Sequence, residues 1–140
     1  MKPPEEAKRD LVRQWAARAE KDFMLAQHLM SEGNYFCEAI AFNCQQSAEK
    51  YLKAVLTLHQ VGFPKTHNLG ELLDLLAGIN ATLAGSLRSI TALNPYGVEY
   101  RYPSDFPEMT QSDAEEAFRL AETARNAVLP ELESYRRSSV

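Results

Sequence analysis

The middle of the chain decides the fold, because one long segment carries two stripes of mostly apolar or small residues. Residues 35–60 read YFCEAIAFNCQQSAEKYLKAVLTLHQ. Members of each stripe recur every three or four residues, which is the spacing of one helix face. The first stripe is Cys37, Ala41, Cys44, Ala48, Leu52, Val55 and His59, and the second is Phe36, Ile40, Ser47, Tyr51, Ala54 and Leu58. A helix with two such stripes packs on two sides, so this segment is predicted to be the central helix of a bundle.

Helical patterns also lie on either side of this segment. An amphipathic pattern predicts a first helix from about Pro4 to Ser31. After a Gly-Phe-Pro break, a third helix is predicted to begin at Asn68 and to stop at Gly78. Asn68 is a favourable N-cap residue, and Glu71 three positions later resembles the second half of a capping box.

The last third of the chain is predicted to hold two helices separated by an irregular segment. A short fourth helix is expected after Asn80. Residues 94–108 contain three prolines and a glycine, so we expect no helix there. A final helix is predicted from Thr110, with Asp113 as its capping partner and a kink near Pro130. The sequence therefore predicts an all-α fold, an up-and-down bundle of four to five helices forming one domain over residues 1–140.

Bulk properties restrict the class of protein. The chain has 140 residues with 45% hydrophobic residues and a net charge of −4, which is typical of a globular protein and not of a general polyanion binder. It shows neither a signal peptide nor an apolar run long enough to span a membrane. Cys37 and Cys44 lie two helical turns apart, too far for a disulfide, and indicate a reduced, cytoplasmic protein.

Familiar metal and cofactor patterns are not visible. His28, His59 and His67 form no His-x-x-x-His or Glu-x-x-His motif, and the two cysteines lack C-x-x-C spacing. The six glycines are scattered, so neither a P-loop nor a dinucleotide-binding motif is present. We therefore expect neither metal nor cofactor, and no local pattern assigns a catalytic residue.

One polar edge of the central helix is the candidate site. By spacing, Gln46, Glu49, Lys50 and Lys53 share a helix face, and residues 50–101 carry five basic against three acidic groups, a net charge of +2. With His67 and a loop holding Tyr100, Arg101 and Tyr102, this edge predicts a groove for a nucleotide or phosphate, in which the cations bind the anion and the tyrosines stack. Two alternatives stay open: Glu49–Lys53 as a solvated surface pair, and His67 and Arg101 as supports of helix ends.

The same residues resemble a known family. The run Cys44–Ala54 is similar to the Q-Q-x-x-E-K-x-x-K-A core of HEPN domains, which are named for nucleotide binding in higher eukaryotes and prokaryotes. Three further features belong to this resemblance, which as a whole spans about Arg18 to Ala124. They are Asp22-Phe23 with Ala26, Thr66-His67-Asn68-Leu69, and Tyr100-Arg101-Tyr102-Pro103.

The resemblance implies a helical bundle that is usually dimeric and is often encoded beside a small nucleotidyltransferase, in toxin–antitoxin or nucleic-acid defence systems. Many relatives are metal-independent ribonucleases with an Arg followed, after four to six residues, by a His. Here positions 21–23, 52–54 and 60–62, which would precede the three histidines, hold no Arg. Loss of that pair removes both charge stabilisation and proton transfer, so the sequence does not favour ribonuclease activity.

Three hypotheses follow from the residues and the resemblance. The first is a homodimeric binding module that docks a nucleotidyltransferase and binds a nucleotide or RNA phosphate in the groove. The second is a diverged ribonuclease that uses His67 with Arg101. The third is a purely structural dimerisation module. The dimer is expected because the apolar stripes offer more apolar surface than four or five helices easily bury.

Overall fold

Long helices dominate the computed structural model, which describes residues 4–33, 36–97 and 108–138, with side chains as far as residue 135. The elements are α1 (Pro4–Ser31), α2 (Cys37–Leu58), α3 (Leu69–Ala77), α4 (Ala81–Ser86), a 3₁₀ helix (Arg88–Gly97) and α5 (Gln111–Ser138). These ranges contain no strand, which confirms the prediction of an all-α bundle. No helix in this part of the chain combines the length and hydropathy of a membrane span.

Helix α2 is the centre of the bundle, as predicted. It contacts α1, α3, α5 and the 3₁₀ helix, and 14 of its 22 residues are buried. It is shorter than the predicted 35–60, because the chain turns at His59 and Gln60 takes a positive φ of 58°. Both Cys37 and Cys44 are buried free thiols, and burial raises the pKa of Cys44 to about 12.

Helices α1 and α2 run antiparallel, and two contacts establish their register. The Ser47 hydroxyl donates to the carbonyl oxygen of Ala19 at 2.9 Å. Lys53, further along α2, lies over the ring of Trp15, which is earlier in α1. This register places the polar edge of α2 beside the first half of α1.

Helix α5 presents its small residues to the core. The stripe Ala114, Ala117, Ala121, Ala124 and Val128 is buried within the single chain. The predicted capping box forms in both directions, since Thr110 N donates to Asp113 Oδ2 at 2.9 Å and Asp113 N donates to Thr110 Oγ1 at 3.1 Å. The helix continues through Pro130 to its end, and the kink stays a prediction. Most residues of the apolar stripes of α2 and α5 are buried within the chain, so the surplus apolar surface on which the dimer expectation depends is reduced there to Phe36, which is 42% exposed.

The predicted capping box of α3 forms in only one direction. Asn68 Oδ1 accepts from the backbone N–H of Glu71 at 3.3 Å, as expected. The N–H of Asn68 instead donates to Thr66 Oγ1 at 3.0 Å, so the return bond from Glu71 is not made. The Thr66 hydroxyl, two residues upstream, accepts the hydrogen bond from the Asn68 N–H that the Glu71 side chain is predicted to accept.

The expectation of an irregular segment over 94–108 is wrong at its start. The 3₁₀ helix continues through Asn94 and Pro95 to Gly97. Ile90 and Leu93, both fully buried, anchor this helix to the core, and that packing outweighs the local effect of the proline. Residues 98–107 lie outside the described residues.

Candidate functional site

Glu49 is the centre of a hydrogen-bond network on the polar edge of α2. Its Oε1 accepts from Nε2 of Gln45 at 3.3 Å and contacts Nδ1 of His67 at 2.8 Å. Its Oε2 accepts from Nζ of Lys53 at 2.9 Å. The Glu49 side chain is only 4% exposed. A buried carboxylate needs such partners, because removal from water disfavours its charge.

The Glu49–Lys53 pair is buried, which corrects the alternative of a solvated surface pair. The Lys53 side chain is 8% exposed. Its ammonium lies 5.4 Å from the ring centroid of Trp15 on α1 and 5.7 Å from that of Phe63, which follows α2. The two rings pack edge to face with centroids 6.1 Å apart. The aromatic faces attract the cation and shield the pair from water.

Gln45 is a fully buried connector whose polar atoms are all used. Its Nε2 also donates to the backbone oxygen of His67 at 3.0 Å, and its Oε1 accepts from Nε2 of Gln46 at 2.7 Å. Gly97 approaches the same side chain so closely that an added Cβ would lie 2.9 Å from the Cδ of Gln45. The network therefore joins α2 to the segment before α3 and to the end of the 3₁₀ helix.

His67 is the exposed end of this network. Its side chain is 71% exposed although its Nδ1 contacts buried Glu49. An ionised carboxylate only accepts hydrogen bonds, so next to ionised Glu49 the proton is on Nδ1, and Nε2 takes no part in this contact. In the neutral ring Nε2 is an acceptor or base, and in the protonated ring it is a donor to an anion. The ring of His67 contacts Glu49 in the middle of α2 and not a helix end. This contact argues against the alternative in which His67 supports a helix end.

Lys50 has a different partner from the rest of the polar edge. Its Nζ donates to Oδ2 of Asp22 on α1 at 2.5 Å, and both side chains are about one fifth exposed, at 21% and 20%. Lys50 and Lys53 are therefore each paired with a carboxylate. Neither is an open cation in the described part of the chain.

The structure thus brings together four of the eight predicted site residues, namely Gln46, Glu49, Lys53 and His67. Lys50 is on the neighbouring edge, and Tyr100, Arg101 and Tyr102 lie outside the described residues. Sequence reasoning missed three members of the cluster: Gln45, Trp15 and Phe63. A signal existed for Gln45, which is one helical turn before Glu49, whereas nothing local indicated the two aromatic rings.

A second polar cluster joins the three long helices. Arg125 of α5 binds Glu20 of α1 through Nε and Nη2, with distances of 2.8–3.2 Å, and the Tyr51 hydroxyl of α2 donates to the same carboxylate. The bond from Arg125 lowers the pKa of Glu20, and burial raises the pKa of Tyr51. Arg125 also lies 5.0 Å from the ring centroid of Phe23. With every charge paired, this cluster acts as a structural tie.

A metal site is not evident in the described segments. Over those residues, no group of three His, Cys, Asp or Glu side chains is placed to hold a metal ion.

Comparisons with known proteins identify a family and two solved structures that this chain resembles in sequence and fold. The family model named HEPN domain matches residues 12–132, most of the chain. The structure is similar to the crystal structure of TT1696 from Thermus thermophilus, with a TM-score of 0.67 and 28% identity over 85% of this chain and 96% of that one. It is equally similar to the crystal structure of ST0689, an archaeal HEPN homologue, with a TM-score of 0.67 and 26% identity over 86% of this chain and 97% of that one. No curated protein matches the chain.

Proposed function

This chain belongs to the HEPN domain family, and from that premise we propose that it is a binding module for the phosphate of a nucleotide or RNA. His67 is the side chain that meets the phosphate. The observation that carries the proposal is the 2.8 Å contact between Nδ1 of His67 and buried Glu49, which holds an otherwise exposed imidazole in one orientation. A ring held in place loses less freedom when a ligand binds.

The buried partners of His67 act as positioning residues. Lys53 balances the charge of Glu49, as a buried carboxylate requires. Gln45 binds both the Glu49 carboxylate and the His67 backbone oxygen, which fixes the distance between helix and loop. The protonated imidazole then donates through Nε2 to a phosphate oxygen, which forms a charge-assisted hydrogen bond.

The short length of chain between Gly97 and residues 100–102 supports a contribution from the Tyr-Arg-Tyr segment. Gly97 contacts Gln45, and Arg101 follows four residues later. Four residues span at most about 14 Å, so Arg101 and the neighbouring Tyr100 and Tyr102 are within reach of the network. In this proposal Arg101 supplies a second cation and the tyrosines supply stacking surfaces for a base.

We also propose that the chain forms a homodimer and docks a small nucleotidyltransferase, in a toxin–antitoxin setting. The support is three exposed large apolar side chains on α1. Leu11 near its start is 45% exposed, and Met24 and Leu25 near its end are 58% and 45% exposed, with polar residues such as Gln14 and Arg18 between them. Exposed large apolar side chains on one helix suit a protein interface.

One observation favours ribonuclease activity as a second candidate. When Nδ1–H of neutral His67 donates to the Glu49 carboxylate, the lone pair of the ring is on Nε2. A general base needs such an unprotonated nitrogen. The reaction would also need a cation near the developing charge, and Arg101 is the residue within chain reach.

Isothermal titration with AMP and with a short single-stranded RNA tests the proposal. We expect His67→Gln to weaken binding about tenfold, the loss of one charge-assisted bond. His28→Gln is the matched control, because His28 is an exposed histidine on α1 whose one ion-pair contact is with Glu32. Equal affinity of wild type and His67→Gln would refute the proposal.

The same samples distinguish binding from catalysis. Cleavage of the RNA in the presence of EDTA by the wild type, with none by His67→Gln, would favour the ribonuclease. Binding without cleavage would favour the module.

A further inference from the structure

A cavity lies between the first half of α1 and the last part of α5, and none of the side chains of the Glu49 network lines it. Its volume is about 380 Å³, within the range of small-molecule sites. The walls are mostly apolar, with charged groups at one side. The lining residues are Val12, Ala16, Leu129 and Leu132, together with Arg9, Arg13, Glu133 and Tyr135.

Arg9 is the unusual group of this cavity. Its Nε is buried and donates to no acceptor in the described part of the chain. Its guanidinium carbon lies 6.0 Å from the ring centroid of Tyr135. Buried donors in folded proteins are nearly always paired, so this donor marks Arg9 as a charged group whose hydrogen bonds the described residues do not complete.

The other charges around the cavity have partners. Arg13 binds Asp10 at 2.8 Å, and Lys8, next to Arg9 on α1, binds Glu5 at 3.4 Å. Glu133 has an interaction of its own. Arg9 has no ion pair among the described residues and contributes only a longer-range attraction to Glu5. The cavity therefore combines apolar walls with one cation that is not directly paired.

We propose that this cavity binds a small amphipathic carboxylate, with its head on Arg9 and its apolar body against Val12, Ala16, Leu129 and Leu132. The carboxylate oxygens accept from the Arg9 guanidinium at the cavity wall, as the fork geometry of arginine favours. The apolar body gains the burial that the four aliphatic side chains offer. This site is separate from the proposed phosphate site at His67, and either can fail without the other.

Decanoate is the probe, and decanol is the matched uncharged ligand. Binding of each to the full chain is measured by titration calorimetry and methyl NMR. Decanoate is expected to bind at micromolar to submillimolar concentration, with shifts confined to Val12, Ala16, Leu129 and Leu132. Decanol should bind at least tenfold more weakly. Shifts spread over the whole chain, or equal affinity for the two ligands, would overturn the proposal.

Three variants complete the test. Arg9→Gln should weaken decanoate binding at least tenfold and leave decanol unchanged, and Ala16→Leu should block both ligands by filling the cavity. Arg119→Gln, an exposed α5 residue paired with Glu116, should bind as the wild type does. Circular dichroism melts check that each variant folds. An unchanged affinity of folded Arg9→Gln for decanoate would refute the proposal. Methyl shifts at the cavity that depend on protein concentration without ligand would also refute it, and would assign the cavity to a second copy of the chain.

Discussion

Nδ1 of His67 lies 2.8 Å from Oε1 of Glu49, although the two side chains differ sharply in exposure, 71% against 4%. A buried carboxylate thus holds an exposed ring. Other binding sites use the same support, in which a carboxylate fixes the tautomer and orientation of a histidine. The stability of the buried pair and the chemistry of the exposed ring are therefore linked through one side chain.

Removing the cation of the buried pair is expected to destabilise the fold. Lys53→Met keeps the aliphatic packing against Trp15 and Phe63 but leaves Glu49 without its ammonium. We expect the free energy of unfolding to fall by about 3 kcal/mol, the cost of an uncompensated buried charge. Urea titration followed by circular dichroism measures this loss.

A double variant serves as the control for that loss. Glu49→Gln combined with Lys53→Met removes both charges, so it should be more stable than Lys53→Met alone. A loss under about 1 kcal/mol for Lys53→Met would mean that the pair is hydrated in solution.

Gly97 is predicted to tolerate no side chain. A methyl group there would meet Cδ of Gln45 at 2.9 Å, so Gly97→Ala must displace the buried connector. We expect destabilisation of about 1–3 kcal/mol by thermal or urea unfolding, in the range of overpacked sites. Gly85→Ala in α4 is the matched control, because nothing lies within 4 Å of its added methyl and alanine favours the helix. Equal effects of the two substitutions would contradict the close approach.

The Glu20–Arg125 tie predicts a pH-dependent contribution to stability. The bond from Arg125 holds the pKa of Glu20 below its ordinary value of 4.5. Because the folded pKa is the lower one, the stabilisation is complete above about pH 5 and is lost as the pH falls through the folded pKa. Glu20→Gln should therefore be less stable than wild type at neutral pH, with the difference shrinking below about pH 4.

Salt separates this tie from a surface pair. The exposed Arg119 likewise lowers the pKa of Glu116. At high salt the effect of Glu116→Gln should vanish, while that of Glu20→Gln should largely persist, since the latter pair is partly buried. Urea unfolding at several pH values and two salt concentrations decides this, and salt-sensitivity equal in both variants would argue against a structural tie.

Thiol labelling tests the core around α2. Cys44 is fully buried, and burial raises its pKa to about 12, so little reactive thiolate forms in the folded protein. Alkylation of Cys44, followed by mass spectrometry, is expected to be slow in buffer and to accelerate only as urea unfolds the chain. Rapid labelling in buffer would contradict the packing of the central helix.

Local patterns in the sequence were sufficient to predict most of the helices. The bounds of α1 and the cap of α5 are as predicted, because apolar spacing and N-cap chemistry act over neighbouring residues. The start of the 94–108 segment was predicted wrongly, because burial of Ile90 and Leu93 against the core outweighs local breakers.

The candidate site was only partly predictable for a related reason. Helical spacing correctly placed Glu49 and Lys53 on one face, but spacing does not reveal what covers that face. Trp15 on α1 and Phe63 in the segment after α2 cover the pair and change it from a surface contact into a support for His67. The nucleotide, the partner, the dimer and the cytoplasmic location stay predictions.

The most direct test of the central claim is nitrogen-15 NMR of the His67 imidazole during a titration with AMP. At a pH where the free ring is neutral, we expect its proton on Nδ1, a bound-state shift centred on Nε2, and loss of both features in Glu49→Gln. A neutral ring protonated on Nε2, or an Nε2 signal that AMP leaves unmoved, would show that Glu49 does not orient His67 for a phosphate.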